Sequence, residues 1–476
     1  MIGIFDRAGH WDCRQHVSEH GAAISGRGRK NGLCLTCRSQ SDGVTSNQLN
    51  PIAMRSLLLL LTLAFVACSA PQTTTQSEPI LPPGDPMAYG LDQEEIDSIA
   101  SHVAWAIDSS FISGAVVLIA RGDQVIYHEA FGYSDTAKTR PMTTDNIFRL
   151  ASMTKPITST AIMQLVEQGK ISTNDPVSKY IPEFADLKVL DTFNQEDSTF
   201  TTVPLEREVT IHHLLTHTSG IPYAAFHPVA AVLYPQFDFV EGPTKEPRIL
   251  ATNIPKQAQA PLLHQPGDAW TYGTNIDVLG YIVELVSGQP LDEYFAEHIF
   301  EPLNIEDMAF YLPDDQADRL VDVWFTPNIQ VSDLPETFAP DYPVSGAKTY
   351  FAGGAGLVGT STDYLKFASA LLNGGALGEA KILDSTTVER MFSNQIDTLR
   401  LDEGVGFGYG GAVRTVESPT GVNAGLWGWD GFWQTYFRID PENDMVMIML
   451  TNAFNNPRWD DVLGGYEKLV VQSVED

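Results

Sequence analysis

The stretch FRLASMTKPIT, Phe148–Thr158, decides how the rest of the chain is read. Ser152 and Lys155 stand three residues apart in it, and the chain runs on as STAIMQLVEQGK. Ile157, Ala161 and Leu165 recur every fourth residue and Gly169 closes the run, which predicts a buried helix from Ala151 onward. A lysine in such surroundings either snorkels to solvent or has a chemical partner. Pro156 is tolerable only near a helix start, where N–H groups have no intrahelical acceptor, so Ser152 falls at the helix N-terminus. A serine there sits at the positive end of the peptide dipoles, among N–H groups able to stabilise a developing oxyanion. Lys155 returns to the same face one turn later, where desolvation would favour the neutral amine, a usable base. The S-x-x-K spacing alone is cheap, about one chance match in a chain of this composition. Its placement carries the weight.

Strand-like and helical runs surround this segment. AVVLIARGDQVIYHEAFG (115–132) reads as two strands joined at Gly122-Asp123. Helices are predicted at 276–287, closed by Gly288, at 291–300 and at 363–372; strands return in TYFRID (435–440) and MVMIMLT (445–451). Strands near both ends with helices between them predict one sheet built from 110–148 and 403–472, and a helical lobe within 149–400. The 476 residues suffice for a substantial core, and 43% hydrophobic against 19% charged residues is a globular balance. A net charge of −31 argues against nucleic acid and anionic membrane surfaces as partners.

The first part of the chain reads differently. MRSLLLLLTLAFVACSA (54–70) has the layout of a secretory signal, too short to span a membrane as a stable anchor, and Val66-Ala67-Cys68 resembles a lipoprotein box. Export is expected, to the periplasm or outer membrane, with Cys68 a candidate lipidation site and ordinary signal cleavage the alternative. Residues 1–53 precede that signal; they are expected to be an untranslated or disordered extension. Their His10, Cys13, His16, Cys34 and Cys37 invite a zinc reading, which a lone CxxC supports weakly. A polar, proline-rich linker (71–88) follows, and the folded domain is placed at 89–472. After Cys68 the chain has no cysteine, so neither disulfides nor a thiol nucleophile are available to that domain.

No G-x-S-x-G elbow, HExxH, P-loop or Rossmann glycine pattern occurs; GTSTD (359–363) lacks the second glycine of an elbow. Four segments in order, FRLASMTKPIT, HLLTHTSGIP (213–222), PGDAWTYGTNIDVLGYIVELVSGQPL (266–291) and GGAGLVGTSTDYLKFASALLNGG (353–375), resemble the class C β-lactamase-like serine hydrolases. That group includes penicillin-binding proteins, D-amino-acid peptidases and a branch of bacterial carboxylesterases. The resemblance covers roughly residues 90–470. It implies an α/β (α+β) fold with an antiparallel sheet flanked by helices, a helical domain, and a site between them that needs no metal or cofactor.

By the same resemblance Ser152 matches the acylated serine, Lys155 the lysine that helps deprotonate it, and Tyr272 the tyrosine of a Y-x-N motif that shuttles protons. Here Thr274 replaces the usual asparagine and Asn275 comes one residue late, which leaves Asn275 a candidate substrate-binding residue with its role in doubt. The K-T-G triplet of lactamases is absent. Counting back from Ile439-Asp440-Pro441, its place falls to Trp429-Asp430-Gly431, with Trp427-Gly428-Trp429 as a competing register. A cation at that position attracts substrate carboxylates; a tryptophan offers an apolar wall for an uncharged acyl or alcohol group. Gly431 would let the strand approach the substrate, and the Phe432 N–H would join that of Ser152 as oxyanion donor. His212, His213 and His217 are read as structural and Asp175 as a turn cap, and the long loops 223–262 and 321–350 as walls of the groove. The expected function is a serine hydrolase acting on a small-molecule ester through an acyl-enzyme. A D-Ala-D-Ala-type peptidase or β-lactamase is the second reading, and a non-catalytic penicillin-binding-like lipoprotein the third.

Overall fold

The unbroken apolar run VVLIA forces its strand to be covered on both faces, and the covering layers set the architecture. The computed structural model describes residues 81–325, 341–418, 421–454 and 456–474; Cys68, the signal-like run, the 1–53 extension and the linker up to 80 lie outside them. Labels below cover the large sheet and the long helices. The hairpin forms as read, β1 (Gly114–Arg121) and β2 (Gln124–Gly132), with Gly122 and Asp123 both at positive φ in the turn. The remaining strands are β3 (Val405–Phe407), β4 (Ala412–Arg414), β5 (Trp427–Gly431), β6 (Thr435–Asp440) and β7 (Met445–Leu450). They make a seven-stranded antiparallel sheet in the order β3-β4-β5-β6-β7-β1-β2. Val116 faces Leu450 and Arg121 faces Met445, so the hairpin of the N-terminal part completes a sheet made by the C-terminal part.

Odd-numbered positions of β1 (Ala115, Val117, Ile119) pack with Met445, Met447 and Met449 against α1 (Gln93–Asp108) and the C-terminal helix α5 (Trp459–Ser473). Even-numbered ones (Val116, Leu118, Ala120) pack with Val446, Ile448 and Leu450 into the larger core, which also takes in the helical part of the chain. The period of two thus assigns each strand residue to one layer, as a strand buried on both faces requires. Asp92 caps α1 by accepting from the N–H groups of Glu94 and Glu95, and Thr360 caps α4 (Ser361–Leu372) by accepting from Asp363. The GTSTD segment is therefore a helix cap, and its Ser361 hydroxyl is bonded to His128. Among the described residues no helix is long and apolar enough to cross a membrane.

The decisive segment departs from its reading in one respect. The α-helix, α2, spans Thr154–Glu167 and follows a 3-10 turn over Ala151–Met153, with Ala151 at φ +46°. The chain must turn sharply from the short strand Phe148–Arg149 into α2, and a left-handed alanine at that corner costs on the order of 1–3 kcal/mol. Every residue from Thr154 to Leu165 is buried, so α2 runs through the core with no solvent face on which Lys155 could snorkel. The helix α3 (Asn275–Ser287) ends at a left-handed Gly288 as read, while the segment 291–300 is a short α-turn that widens into a π-turn over Ala296–Phe300.

Candidate active site

Three chain segments converge where α2 begins. The 3-10 turn before α2 presents Ser152, the first turn of α2 presents Lys155, the lead-in to α3 presents Tyr272, and the middle of β5 presents Trp429. Lys155 is fully buried and its Nζ donates to Ser152 Oγ (3.1 Å), to the Gly354 carbonyl (2.7 Å) and to the Tyr223 hydroxyl (3.3 Å). It also lies over the Tyr272 and Tyr223 rings, 4.7 and 5.3 Å from their centroids. Tyr272 donates its hydroxyl to Ser152 Oγ at 2.7 Å. Ser152 Oγ therefore receives two donors, and an oxygen so held is poised to carry negative charge.

Trp429 is placed beside this group in a role its sequence reading lacks. Its indole N–H donates to the Tyr272 hydroxyl at 3.2 Å, and its ring packs on Tyr272 and Phe407. It is a hydrogen-bond donor to the Tyr272 hydroxyl as well as an apolar surface. The neighbouring Asp430, on the other side of the strand, pairs with Arg438 at 2.6 Å. Gly431 ends β5 against the turn that carries Ser152: a Cβ there would stand 2.4 Å from the Leu150 carbonyl oxygen and closer still to Thr435 Oγ1. No side chain fits, and the bare backbone lets the end of β5 lie against that turn. Phe432 and Phe226 (ring centroids 6.4 Å apart), with Trp270 stacked on Tyr272, give the mouth an aromatic rim.

Asn275 does not belong to the substrate surface, contrary to the reading from sequence. It is fully buried, its amide nitrogen donates to His217 Nδ1 (3.0 Å) and the Ile221 carbonyl (3.2 Å), and its oxygen accepts from Ser219. One residue of slippage relative to Y-x-N turns the side chain inward, where it laces the 217–223 loop to the segment carrying Tyr272. His217 is part of that lacing: its carbonyl accepts from Thr271, and burial first, Lys155 second, hold its ring well below the usual histidine range and hence neutral. His213 closes a capping box with Thr210 and His212 bonds Tyr409, so neither reaches the serine. Asp175 accepts from the Ser172 N–H, Lys179 and Tyr180 within its own turn. Of the two long loops, 223–262 delivers Tyr223 and Phe226 to the site; much of the other, 326–340, lies outside the described residues.

The beta-lactamase family model matches residues 99–472. The chain belongs to that family. Among its relatives is esterase EstB of Burkholderia gladioli, 31% identical over 391 residues, covering 78% of this chain and 93% of that protein. A putative D-alanyl-D-alanine carboxypeptidase of Escherichia coli (strain K12) is 28% identical over 432 residues, 85% of this chain and 92% of that one. Among solved structures, EstCE1, a hydrolase with promiscuous acyltransferase activity, superposes with a TM-score of 0.68 at 30% identity, covering 82% of this chain and all of that one. The fold of this beta-lactamase family member, a seven-stranded antiparallel sheet with helices, agrees with the reading from sequence, as does its class, a serine hydrolase.

Two parts of the site had no sequence signal strong enough to single them out. Tyr223 follows HTSGIP directly and reads there as one more loop aromatic; only the fold shows its hydroxyl on Lys155. Gly354 sits in a glycine-rich run whose carbonyl orientation no spacing rule gives, yet its oxygen makes the shortest bond to Lys155.

Proposed function

We propose that the protein hydrolyses neutral carboxylic esters through an acyl-enzyme on Ser152. The observation that carries this reading is the Trp429 indole bonded to Tyr272 at the strand position where lactamases and transpeptidases place a lysine. A neutral donor there supports the proton traffic of Tyr272 but offers no charge to a substrate carboxylate. The net charge of −31 disfavours anionic substrates further, and the Phe226–Phe432 rim suits an apolar acyl or alcohol group. The likeness to EstB and EstCE1 supports the same choice.

In this mechanism Ser152 Oγ adds to the ester carbonyl carbon while its proton passes to Lys155, and the carbonyl oxygen becomes an oxyanion on the N–H groups of Ser152 and Phe432. Collapse breaks the bond to the alcohol, and Tyr272 hands the departing alkoxide a proton relayed from Lys155. Water, giving up a proton through Tyr272, then attacks the acyl carbon; the bond to Ser152 Oγ breaks, the proton returns to that oxygen, and the acid is released. Export, with Cys68 as a lipidated N-terminus, belongs to the same proposal; mass spectrometry of the exported N-terminus would show a diacylated cysteine, and an unmodified Cys68 or a start beyond it would refute that part.

The discriminating experiment offers the protein three substrates: a short-chain p-nitrophenyl ester, a chromogenic cephalosporin and a D-Ala-D-Ala peptide, with Ser152→Ala alongside. Ester turnover that falls at least about 10⁴-fold in Ser152→Ala, with little turnover of the other two, is the expected result. Efficient peptide or cephalosporin turnover without ester cleavage would favour the peptidase named among its relatives and overturn the ester assignment.

A further inference from the structure

Lys155 is fully buried, and the groups bonded to its Nζ are a carbonyl and two hydroxyls, all uncharged. When it takes the serine proton, a positive charge forms in a low-dielectric interior, where a lone charge is costly. Behind it lies a carboxylate that the hydrolysis scheme does not use. Asp277, in the first turn of α3, is fully buried; its Oδ1 accepts the Gly354 N–H at 3.3 Å, and its Oδ2 has no hydrogen-bond partner. The next carbonyl along, that of Gly354 itself, is the one Lys155 grips at 2.7 Å. A Cβ placed on Gly354 would stand 2.6 Å from Asp277 Oδ2 and 3.0 Å from the Tyr223 hydroxyl. The bare glycine thus keeps acid and phenol side by side behind the lysine.

We infer that Asp277 is the counter-acid of Lys155, a positioning residue whose negative charge, acting past Gly354 and the Tyr223 hydroxyl, offsets the ammonium formed as Ser152 is acylated. The inference rests on the proposed Ser152–Lys155 proton transfer. The step balances within the cluster: the proton leaves Ser152 Oγ for Lys155 Nζ, the Oγ–C bond forms as the carbonyl π pair moves to oxygen, and Asp277 gains and loses nothing. Its place in the first helical turn, where the peptide dipoles favour negative charge, supports the ionised form. Burial works against that form and raises its titration to about 6, with Lys155 pulling it back down. The other titratable groups acting on this corner are Tyr223, Tyr272, Tyr342, Tyr350, His217 and Glu241; burial pushes the Tyr223, Tyr342 and Tyr350 phenols well above their usual range and holds His217 well below its own, so these four stay neutral. Glu241, which holds the Ala224 N–H next to Tyr223, is raised to about 7, chiefly by burial and then by Asp277. Protonation of Asp277 removes that negative charge, and the pH at which it occurs marks the acid limb of Ser152 reactivity.

The test uses a fluorophosphonate probe, which reports Ser152 nucleophilicity whatever the natural substrate, so a failed ester assignment leaves the result readable. Labelling rates of the full chain are measured across acidic to alkaline pH for wild type, Asp277→Asn and Tyr223→Phe, with thermal melts as a fold check. Wild type is expected to show an acid limb near pH 6. Asp277→Asn should move that limb to lower pH by about one unit or more, with the alkaline plateau down about tenfold. Tyr223→Phe should shift it the same way by less. A folded Asp277→Asn with the wild-type limb would overturn the inference, whatever its plateau, because a merely structural role changes amplitude alone. If Asp277→Asn does not fold, an unshifted limb in Tyr223→Phe overturns it.

Discussion

The two walls of the cleft are built on opposite terms. The helical wall is polar and closed: Ser152, Lys155, Tyr223 and Tyr272 bond one another, and Asn275, Ser219 and His217 lock the loops that carry them. The sheet wall is neutral and spare, a single indole N–H on Tyr272 and a glycine pressed against Leu150. In the proposed mechanism the helical wall supplies the nucleophilic chemistry and the sheet wall decides which acyl compounds are welcome. Substitutions that act on one wall should leave the other's signature intact.

The largest effect is expected at the seam. Gly431→Ala drives a methyl group into the Leu150 carbonyl and should displace the strand end, lowering kcat/KM for a p-nitrophenyl ester by at least about 10²-fold, with a lower Tm. A variant with wild-type kinetics would show that β5 does not set the site. On the helical wall, Asn275→Ala strips partners from three buried polar groups and should cost about 2–3 kcal/mol in a denaturant titration, with KM unchanged at temperatures where it is folded. A KM rise without a stability loss would return Asn275 to the substrate surface. On the sheet wall, Trp429→Phe keeps the ring and removes the N–H to Tyr272; kcat is expected to drop about tenfold, the value of one hydrogen bond of ~1.4 kcal/mol, with no melting change beyond the experimental scatter.

The smallest effect concerns stability and pH. Glu241 is raised from 4.5 to about 7 by burial, so the native state holds its proton where the unfolded chain has lost it. Its contribution is fully present below pH 4.5 and is lost as pH rises through about 7, the sign opposite to that of an ion-paired surface carboxylate. Glu241→Gln should therefore melt about 2–3 °C above wild type at alkaline pH, a gap that closes in acid. A gap independent of pH would mean that Glu241 is not carrying a buried charge.

How much of this was readable in the sequence differs between the walls. The hairpin 115–132, the run through 445–451 and α2 follow from periods of two and of about four, because burial dictates those residues directly. Ser152 and Lys155 were reachable from their spacing at a helix start, and Tyr272 through the resemblance of its segment to the class C β-lactamase-like hydrolases. Trp429 could be placed only by counting from Ile439-Asp440-Pro441, and its bond to Tyr272 depends on how β5 meets the lead-in to α3, which no local pattern encodes. Asn275 misled for the complementary reason: one inserted residue rotates a side chain by about a quarter turn on a helix, from cleft to core. Tyr223 and Asp277 are ordinary in sequence and become conspicuous only when folding leaves an acid oxygen buried without a partner.

The central claim is an acyl group carried on Ser152. Rapid acid quenching of the protein during turnover of p-nitrophenyl butyrate, followed by peptide mass spectrometry, tests it directly. The account predicts one butyryl group on the peptide holding Ser152, accumulating further when Tyr272→Phe slows its release. Ester turnover with Ser152 unmodified throughout, or the acyl group found on another residue, would contradict it.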